Sequence, residues 1–217
     1  MLIHKNSLSI VGAASTDDTR PALNGLHVRT ATADKPAVIE ASDGHYAVRQ
    51  TLPTTVDNAD FPAVEGFQLP DDTPGTSVII PTGICKKLQK AIPKPKRDSL
   101  PILQHVAVNL LADNNGTVRA VTTDLETPTS VNFRPVEGPY PDLDSVWDQA
   151  NTSQVAFKIS YNAVILRQLC DVLIAANKDQ PTTYVDFTFA GPTMAAIAKV
   201  RGANLSGLIM PILPNEE

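Results

Sequence analysis

Hydrophobic positions along the chain fall into three segments with one order of elements, an apolar run with helical spacing followed by strand-like runs. The first segment contains Leu8–Ala14, Thr19–Arg29 and Val38–Arg49. The second contains Ser77–Pro81, Thr82–Ile92, Leu100–Leu110 and Val118–Arg134. The third contains Val155–Ser160, Tyr161–Asn177, Thr183–Ala190, Met194–Val200 and Leu208–Leu213. Repetition of one order predicts an internal repeat.

Two of the runs are predicted to be amphipathic helices. The face predicted to be buried in the first helix comprises Ile84, Cys85, Leu88, Ala91 and Ile92. The corresponding face in the second comprises Ile165, Leu166, Leu169, Val172, Leu173 and Ala176. Lys86, Lys90 and Arg167 fall on the opposite faces. One helix and short strands in each repeat predict an α+β protein with helices on one face of antiparallel sheets.

Composition limits what this architecture can do. The chain has 217 residues, enough for one large or two small domains, and 42% of them are hydrophobic. The net charge is −5 and the isoelectric point about 5.3, which argues against a protein coated in basic charge. A local basic surface for nucleic acid is still compatible with these values, because the position of the cations decides binding.

Cysteine usage and apolar run lengths indicate the compartment. Cys85 and Cys170 lie in helix-like runs without a CxxC pair or metal-ligand spacing, which predicts free thiols in a reducing compartment, the cytoplasm. The run Leu8–Ala14 is short for a signal peptide. No stretch reaches the ~18 apolar residues of a membrane span, so no membrane association is expected.

Catalytic motifs are missing from the sequence. It contains no P-loop, GxGxxG, GxSxG or HExxH pattern, and its four histidines are scattered. The segment Asp113–Gly116 resembles part of a calcium loop but lacks the alternating ligands and distal Glu, which predicts a turn instead. We therefore expect a protein that is not an enzyme and that needs no metal or cofactor.

Positive charge is concentrated in one place. Six of the 18 Lys and Arg residues form a run that no acidic residue interrupts until Asp98: Lys86, Lys87, Lys90, Lys94, Lys96 and Arg97. Such a run is compatible with an ordinary solvated helix face. The alternative interpretation is a surface that contacts phosphates without recognising bases.

Several stretches resemble the bacterial DNA polymerase III β sliding clamp, a family of the processivity-fold superfamily. STDDTRPALNGLHVR followed by EASDGHYAVR is similar to the middle domain of that family, and LPILQHVAVNL followed by VTTDLE to its N-terminal domain. VEGPYPDLDSV resembles the exit from a domain into a linker. FKISYNAVILRQLCDVL and GLIMPIL resemble the last half-domain and its tail. These matches cover most of a chain that is well short of a three-domain clamp.

The resemblance implies a DNA-clamp fold of repeated β-α-β-β-β units whose helices face duplex DNA. It implies a clamp-like domain over residues 1–150, built of two units, and a third unit over 151–217. The expected function is DNA polymerase processivity or tethering, with duplex DNA bound without sequence specificity. A ring made of several copies is a further expectation. The DNA-binding residues would be Lys86, Lys87, Lys90, Lys94, Arg167 and Lys178.

The resemblance also implies a hydrophobic pocket for short peptides of a DNA polymerase or other clamp-motif proteins. Its lining would be Leu23, Ser42, Gly44, His45, Tyr46, Ala47, Pro141, Val146, Met210, Pro211 and Ile212. Tyr46 stands where the family usually has a basic residue. The main alternative function is an adaptor that binds partner peptides without encircling DNA.

Overall fold

The computed structural model describes residues 1–52, 58–94, 100–152, 157–177 and 180–212. The chain divides into two compact units, Met1–Asp142 and Leu143–Glu217, called unit 1 and unit 2 below. The domain boundary expected at residues 150 and 151 falls inside a helix of unit 2, Leu143–Thr152.

Unit 1 contains two four-stranded antiparallel sheets. The sheet with strand order β4-β3-β2-β5 is formed by β2 (Gly25–Arg29), β3 (Val38–Ser42), β4 (Ala47–Thr51) and β5 (Ser77–Pro81). The sheet with order β1-β6-β7-β8 is formed by β1 (Leu2–His4), β6 (His105–Asn109), β7 (Val118–Thr123) and β8 (Pro128–Phe133). Helix α1 spans Thr82–Ala91. Short 3-10 helices lie at Ser7–Ala13, Pro21–Leu23, Asn58–Asp60 and Pro101–Gln104.

Each sheet of unit 1 includes one strand from the other repeat. Strand β5 opens the second repeat but pairs with β2 of the first, with Ile79 opposite His27. Strand β1 opens the first repeat but pairs with β6 of the second, with Leu2 opposite Ala107. The two repeats therefore complete each other's sheets.

The hydrophobic core of unit 1 lies between the helical segments and the inner faces of the sheets. Cys85, Leu88 and Ile92 are buried at 0%, 0% and 2% exposure, which confirms the face predicted for α1. The first repeat has a 3-10 helix, Ser7–Ala13, where an apolar helix-like run was expected, and it still buries Leu8 and Val11. Gly12 in this segment disfavours a regular α-helix.

Unit 2 contains two helices and one three-stranded antiparallel sheet. Helix α2 spans Leu143–Thr152 and helix α3 spans Ala163–Ala176. Asn162 caps α3, because its Oδ1 accepts hydrogen bonds from the backbone N–H groups of Val164 and Ile165. The sheet has the order β11-β10-β9, formed by β9 (Val185–Thr188), β10 (Ala196–Val200) and β11 (Ser206–Ile209).

The face predicted for α3 is wrong in part. Ile165 and Val172 are 53% and 63% exposed, and Ala176 is exposed as well. The side of α3 that packs on the sheet carries Leu169 and Leu173, which join Ala198 and Val200 in the core. Hydrophobic residues cover much of the circumference of α3, and a three-stranded sheet is wide enough to bury only one row of them.

Candidate functional site

The structure brings four of the predicted DNA-binding cations together on α1 and just after it. Lys86, Lys87 and Lys90 are exposed on the helix, and Lys94 is exposed beyond its end. These four lysines are called the basic stripe below. The opposite side of α1 is anchored in the core by Cys85 and Leu88, so the fold fixes which way the stripe faces.

No acidic side chain forms an ion pair with the basic stripe among the described residues. Lys5, which the sequence analysis did not select, extends the positive charge towards the end of α1, because its Nζ donates a hydrogen bond to the carbonyl of Ile92 at 3.4 Å. Solvated ammonium groups on one rigid face contact phosphates but carry no base-specific geometry. The arrangement therefore suits a polyanion backbone.

The other predicted cations differ in their surroundings. Arg167 is exposed on α3, and its Nε lies 3.4 Å from Asp171 Oδ2, so part of its charge is neutralised locally. Lys178 lies outside the described residues, as do Lys96 and Arg97 of the basic run. The stripe on α1 is thus the basic surface that the described part of the chain assembles.

The predicted pocket residues of unit 1 meet at the turn between β3 and β4. Ser42 Oγ accepts a hydrogen bond from the N–H of Gly44 and donates one to the carbonyl of Tyr46. Asp43 Oδ1 accepts bonds from the N–H groups of His45 and Tyr46, which lowers the pKa of its carboxyl group. Gly44 has φ +91°, a conformation that favours glycine. The turn is therefore fixed by its own side chains.

This turn borders a groove of about 410 Å³. A Cβ atom added at Gly44 would lie 3.8 Å from Leu23 Cδ1 and 2.9 Å from Arg20 Nη1, which places both side chains beside the turn. Leu23 is 8% exposed, whereas Tyr46 is 53% exposed. The groove is lined by Ala14, Ser15, Thr16, Asp17, Arg20, Asp43 and His45. Of these residues only His45 was predicted from the sequence to line the pocket, and the lining is more polar than expected.

Ala47 is half-buried at the start of β4, directly after the turn, and the remaining predicted pocket residues lie elsewhere along the chain. Pro141 is exposed near the end of unit 1. In unit 2, Val146 on α2 is 59% exposed, and Met210 and Ile212 of the tail are 67% and 49% exposed, with Pro211 half-buried between them. Apolar side chains this exposed are available for contact with another molecule.

A buried polar network on the first sheet was missed by the sequence analysis. His27 Nδ1 lies 2.8 Å from Glu40 Oε1, and Arg49 Nε donates to Glu40 Oε2 at 2.6 Å. His27 Nε2 contacts Ser77 Oγ at 2.8 Å, and its ring stacks on Tyr140 with centroids 4.2 Å apart. Burial alone raises the pKa of Glu40, but the hydrogen bonds with His27 and Arg49 outweigh it and the pKa is lowered.

The order of serine, histidine and carboxylate in this network resembles that of hydrolytic enzymes. Ser77, however, lies within β5 and pairs across to β2, whereas acyl transfer needs backbone N–H groups free to hold an oxyanion beside the nucleophile. Glu40 is shared with Arg49, and Tyr140 covers the histidine ring. We interpret the network as a set of contacts that holds together the four strands of this sheet and the segment that follows β8.

Comparison with solved structures finds bacterial sliding clamps. The DNA polymerase sliding clamp from Bacillus subtilis superposes with a TM-score of 0.62 at 16% identity, over 97% of this chain and 48% of that one. The Caulobacter crescentus beta sliding clamp, with polyethylene glycol at a candidate beta-motif tethering region, gives 0.59 at 16% identity, over 97% and 50%. The DNA polymerase III beta subunit from Thermotoga maritima gives 0.58 at 12%, over 97% and 49%.

These likenesses establish the fold. The chain has the α+β DNA-clamp architecture expected from the sequence, and it spans about half the length of the clamp chains that it matches. No protein-family model matches the sequence, and comparison with curated proteins finds no match. In the described part of the chain no helix is long and apolar enough to cross a membrane.

Proposed function

We propose that this protein is a non-enzymatic tether of the sliding-clamp type that holds a partner, such as a DNA polymerase, on duplex DNA. The observation that carries the proposal is the basic stripe, four exposed lysines on and after one helix of an otherwise acidic chain. The resemblance to sliding clamps implies that helices of this kind face the duplex. The reducing cytoplasm is the expected setting.

Charge distribution supports sliding rather than fixed binding. Lysine ammonium groups on flexible stems neutralise phosphates without a preferred register. A net charge of −5 keeps the rest of the surface from adhering to DNA. Contact confined to one helix face holds a duplex while leaving it free to move along its axis.

The experiment is a titration of duplex DNA of two unrelated sequences at several salt concentrations. Replacing Lys86, Lys87 and Lys90 with Ala removes up to three phosphate contacts, so the slope of log affinity against log salt should flatten by about 0.9 for each effective lysine. The matched control is Lys199→Ala, on an exposed strand position of unit 2. Unchanged binding and an unchanged slope in the triple variant would refute the role of the stripe.

We further propose that the turn Ser42–Ala47 and the residues around Leu23, together with Pro141 of the same unit, form a site for short apolar partner peptides. Because Gly44 has no side chain, the space between the turn and Arg20 stays unfilled, and Leu23 forms an apolar floor beside it. An affinity on the order of micromolar is expected for such a small site.

One variant tests the peptide site by fluorescence anisotropy with a labelled clamp-motif peptide. Leu23→Asp places a charge in the apolar floor, so it should abolish peptide binding while DNA association persists. Full peptide affinity in this variant, with an intact fold by circular dichroism, would reject the assignment.

The adaptor hypothesis remains the second candidate function, and the acidic net charge of −5, which does not attract DNA, favours it. It predicts peptide binding with no measurable affinity for duplex DNA at any salt concentration. The titration above therefore separates the two functions.

A further inference from the structure

The part of unit 2 that follows residue 156 repeats the second half of unit 1 position by position. Ile79 lies three residues before α1 begins, and Ser160 lies three before α3 begins. The carbonyl of Ile79 accepts a hydrogen bond from Val136 N at 2.9 Å, and the carbonyl of Ser160 accepts one from Ile212 N at 2.7 Å. Val136 and Ile212 each lie three residues after the last strand of their repeat.

One strand partner present in unit 1 has no counterpart among the described residues of unit 2. The strand that contains Ile79 uses its other edge to pair with β2 of the neighbouring repeat. Among the described residues, nothing pairs with the equivalent edge of segment 157–160, and the outer edge of β9 is likewise free. Unpaired edges of this kind are places where another chain adds a strand.

Equivalent inward positions of β2 and β9 differ in burial, as expected when β9 lacks the strand that pairs with β2. Leu26 and Val28, the inward residues of β2, are both 0% exposed. Val185 and Phe187, which occupy the corresponding inward positions of β9, are only half-buried. In unit 1 the second repeat covers these positions, and within unit 2 no described element does.

Helices α1 and α3 differ in burial in the same way as β2 and β9. Cys85 and Leu88 of α1 are 0% exposed, whereas their counterparts Leu166 and Leu169 of α3 are half-buried. Ile165 on the neighbouring row is 53% exposed. The core of unit 2 is therefore complete on one side only.

We propose that unit 2 pairs with unit 2 of a second copy of this chain by exchange of the strand Phe157–Ser160. This strand of one copy adds antiparallel to the outer edge of β9 in the other, as β5 adds to β2 within unit 1. Asp186 lies between the inward residues of β9 as His27 lies between those of β2, so Ser160 comes opposite Asp186.

That register matches apolar residues across the interface. Antiparallel pairing of Ser160 with Asp186 places Ile159 opposite Phe187 and Tyr161 opposite Val185. It also places Phe157 opposite Phe189, two aromatic side chains that are 47% and 43% exposed. Cross-strand aromatic and aliphatic pairs of this kind stabilise a sheet.

A second copy fits this surface better than an unrelated protein. Unit 2 carries both halves of the exchange, the strand to be donated and the edge that accepts it. Two copies related by a twofold axis therefore satisfy both edges at once, which is the self-complementarity of an isologous interface. This pairing does not require DNA or peptide binding.

The first experiment measures the mass of the full-length protein in solution by light scattering. A dimer, or a higher even multiple that contains it, is expected at micromolar concentration. Phe157→Asp and Phe189→Lys should each weaken the dimer at least about tenfold, because each places an unpaired charge in the apolar interface. The double variant should recover association, since the introduced carboxylate and ammonium groups then face each other. Leu111→Asp, at a similarly exposed position of unit 1, is the matched control.

The second experiment tests the register by cross-linking in a Cys170→Ser background. Ser160→Cys combined with Asp186→Cys should give a disulfide-linked dimer on a denaturing gel, and Ser160→Cys combined with Thr188→Cys should give much less. A monomer at all concentrations overturns the proposal. So does a dimer that tolerates both charged variants without recovery in the double variant, or one in which the two cysteine pairs cross-link equally.

Discussion

Replacing Glu40 with Gln tests how strongly the buried polar network holds the first sheet together. Glu40 is 1% exposed and accepts from Arg49 while contacting His27 at 2.8 Å. Glutamine keeps the size of the side chain but removes the charge on which both contacts depend. A hydrogen bond to a charged group contributes about 1.5–3 kcal/mol, and breaking a buried ion pair costs about 3–5 kcal/mol. We expect the free energy of unfolding to fall by about 2–4 kcal/mol at pH 7.

The loss should depend on pH in one direction. The pKa of Glu40 is lowered in the folded protein, because hydrogen bonds with His27 and Arg49 outweigh the effect of burial. A carboxylate with a depressed folded pKa stabilises the fold fully above its unfolded pKa, about 4.3. That contribution is lost as the pH falls through the folded pKa. The difference between the natural protein and the Glu40→Gln variant should thus be constant from about pH 6 to 8 and shrink below about pH 4.5.

The assay is urea unfolding followed by far-ultraviolet circular dichroism at pH 7 and at steps down to about pH 3.5. Asp171→Asn is the matched control, because Asp171 also pairs with an arginine, Arg167, but at an exposed position. The control should change stability far less. A loss below about 0.5 kcal/mol for Glu40→Gln at pH 7, or a difference that does not shrink in acid, would refute the stabilising role given to the network.

Three further predictions concern single positions. Leu88→Ala should lower the free energy of unfolding by about 2–5 kcal/mol in denaturant titrations, because Leu88 is fully buried under α1, and Leu88→Asp should prevent unit 1 from folding. Cys85 should react with a thiol reagent much more slowly than Cys170, since burial raises the pKa of the Cys85 thiol to about 12; equal rates in the folded protein would contradict this. Gly44→Ala should cost about 1–3 kcal/mol in thermal unfolding, because φ is +91° there and the new Cβ would meet Arg20.

The sequence predicted α1 well and α3 poorly for one physical reason. Along α1 lysines alternate with apolar residues at helical spacing, so only one face can be buried. Along α3 apolar residues occupy several rows, and the row that packs is chosen by the width of the neighbouring sheet, which periodicity does not report. Helix α2, Leu143–Thr152, was not predicted at all, because few apolar residues mark it and the resemblance pointed to a linker there.

Prediction of the candidate sites also succeeded where the residues are neighbours in sequence and failed where only the tertiary fold brings them together. The lysines of the basic stripe are neighbours in sequence, so one helix assignment was enough to group them. The network of His27, Glu40 and Arg49 depends on the register of three strands, and side chains that meet across strands leave no spacing pattern along the chain. Arg20, which lies beside Gly44, was missed because only the tertiary fold brings them together.

One explanation accounts for the misassigned face of α3 and for the half-buried residues of β9. It is that a repeat of this fold is stable only when it is paired with another repeat. Within unit 1, each repeat donates its opening strand and receives one, and the inward residues of both are fully buried. Unit 2 has the same hydrogen-bonding pattern and the same inward positions, yet Phe187 and Leu169 remain half-exposed to solvent. Excess apolar residues on α3 are then expected, since a helix in a paired repeat must contact both its own sheet and its neighbour. The hydrophobic pattern of α3 would thus describe a paired repeat rather than an isolated one.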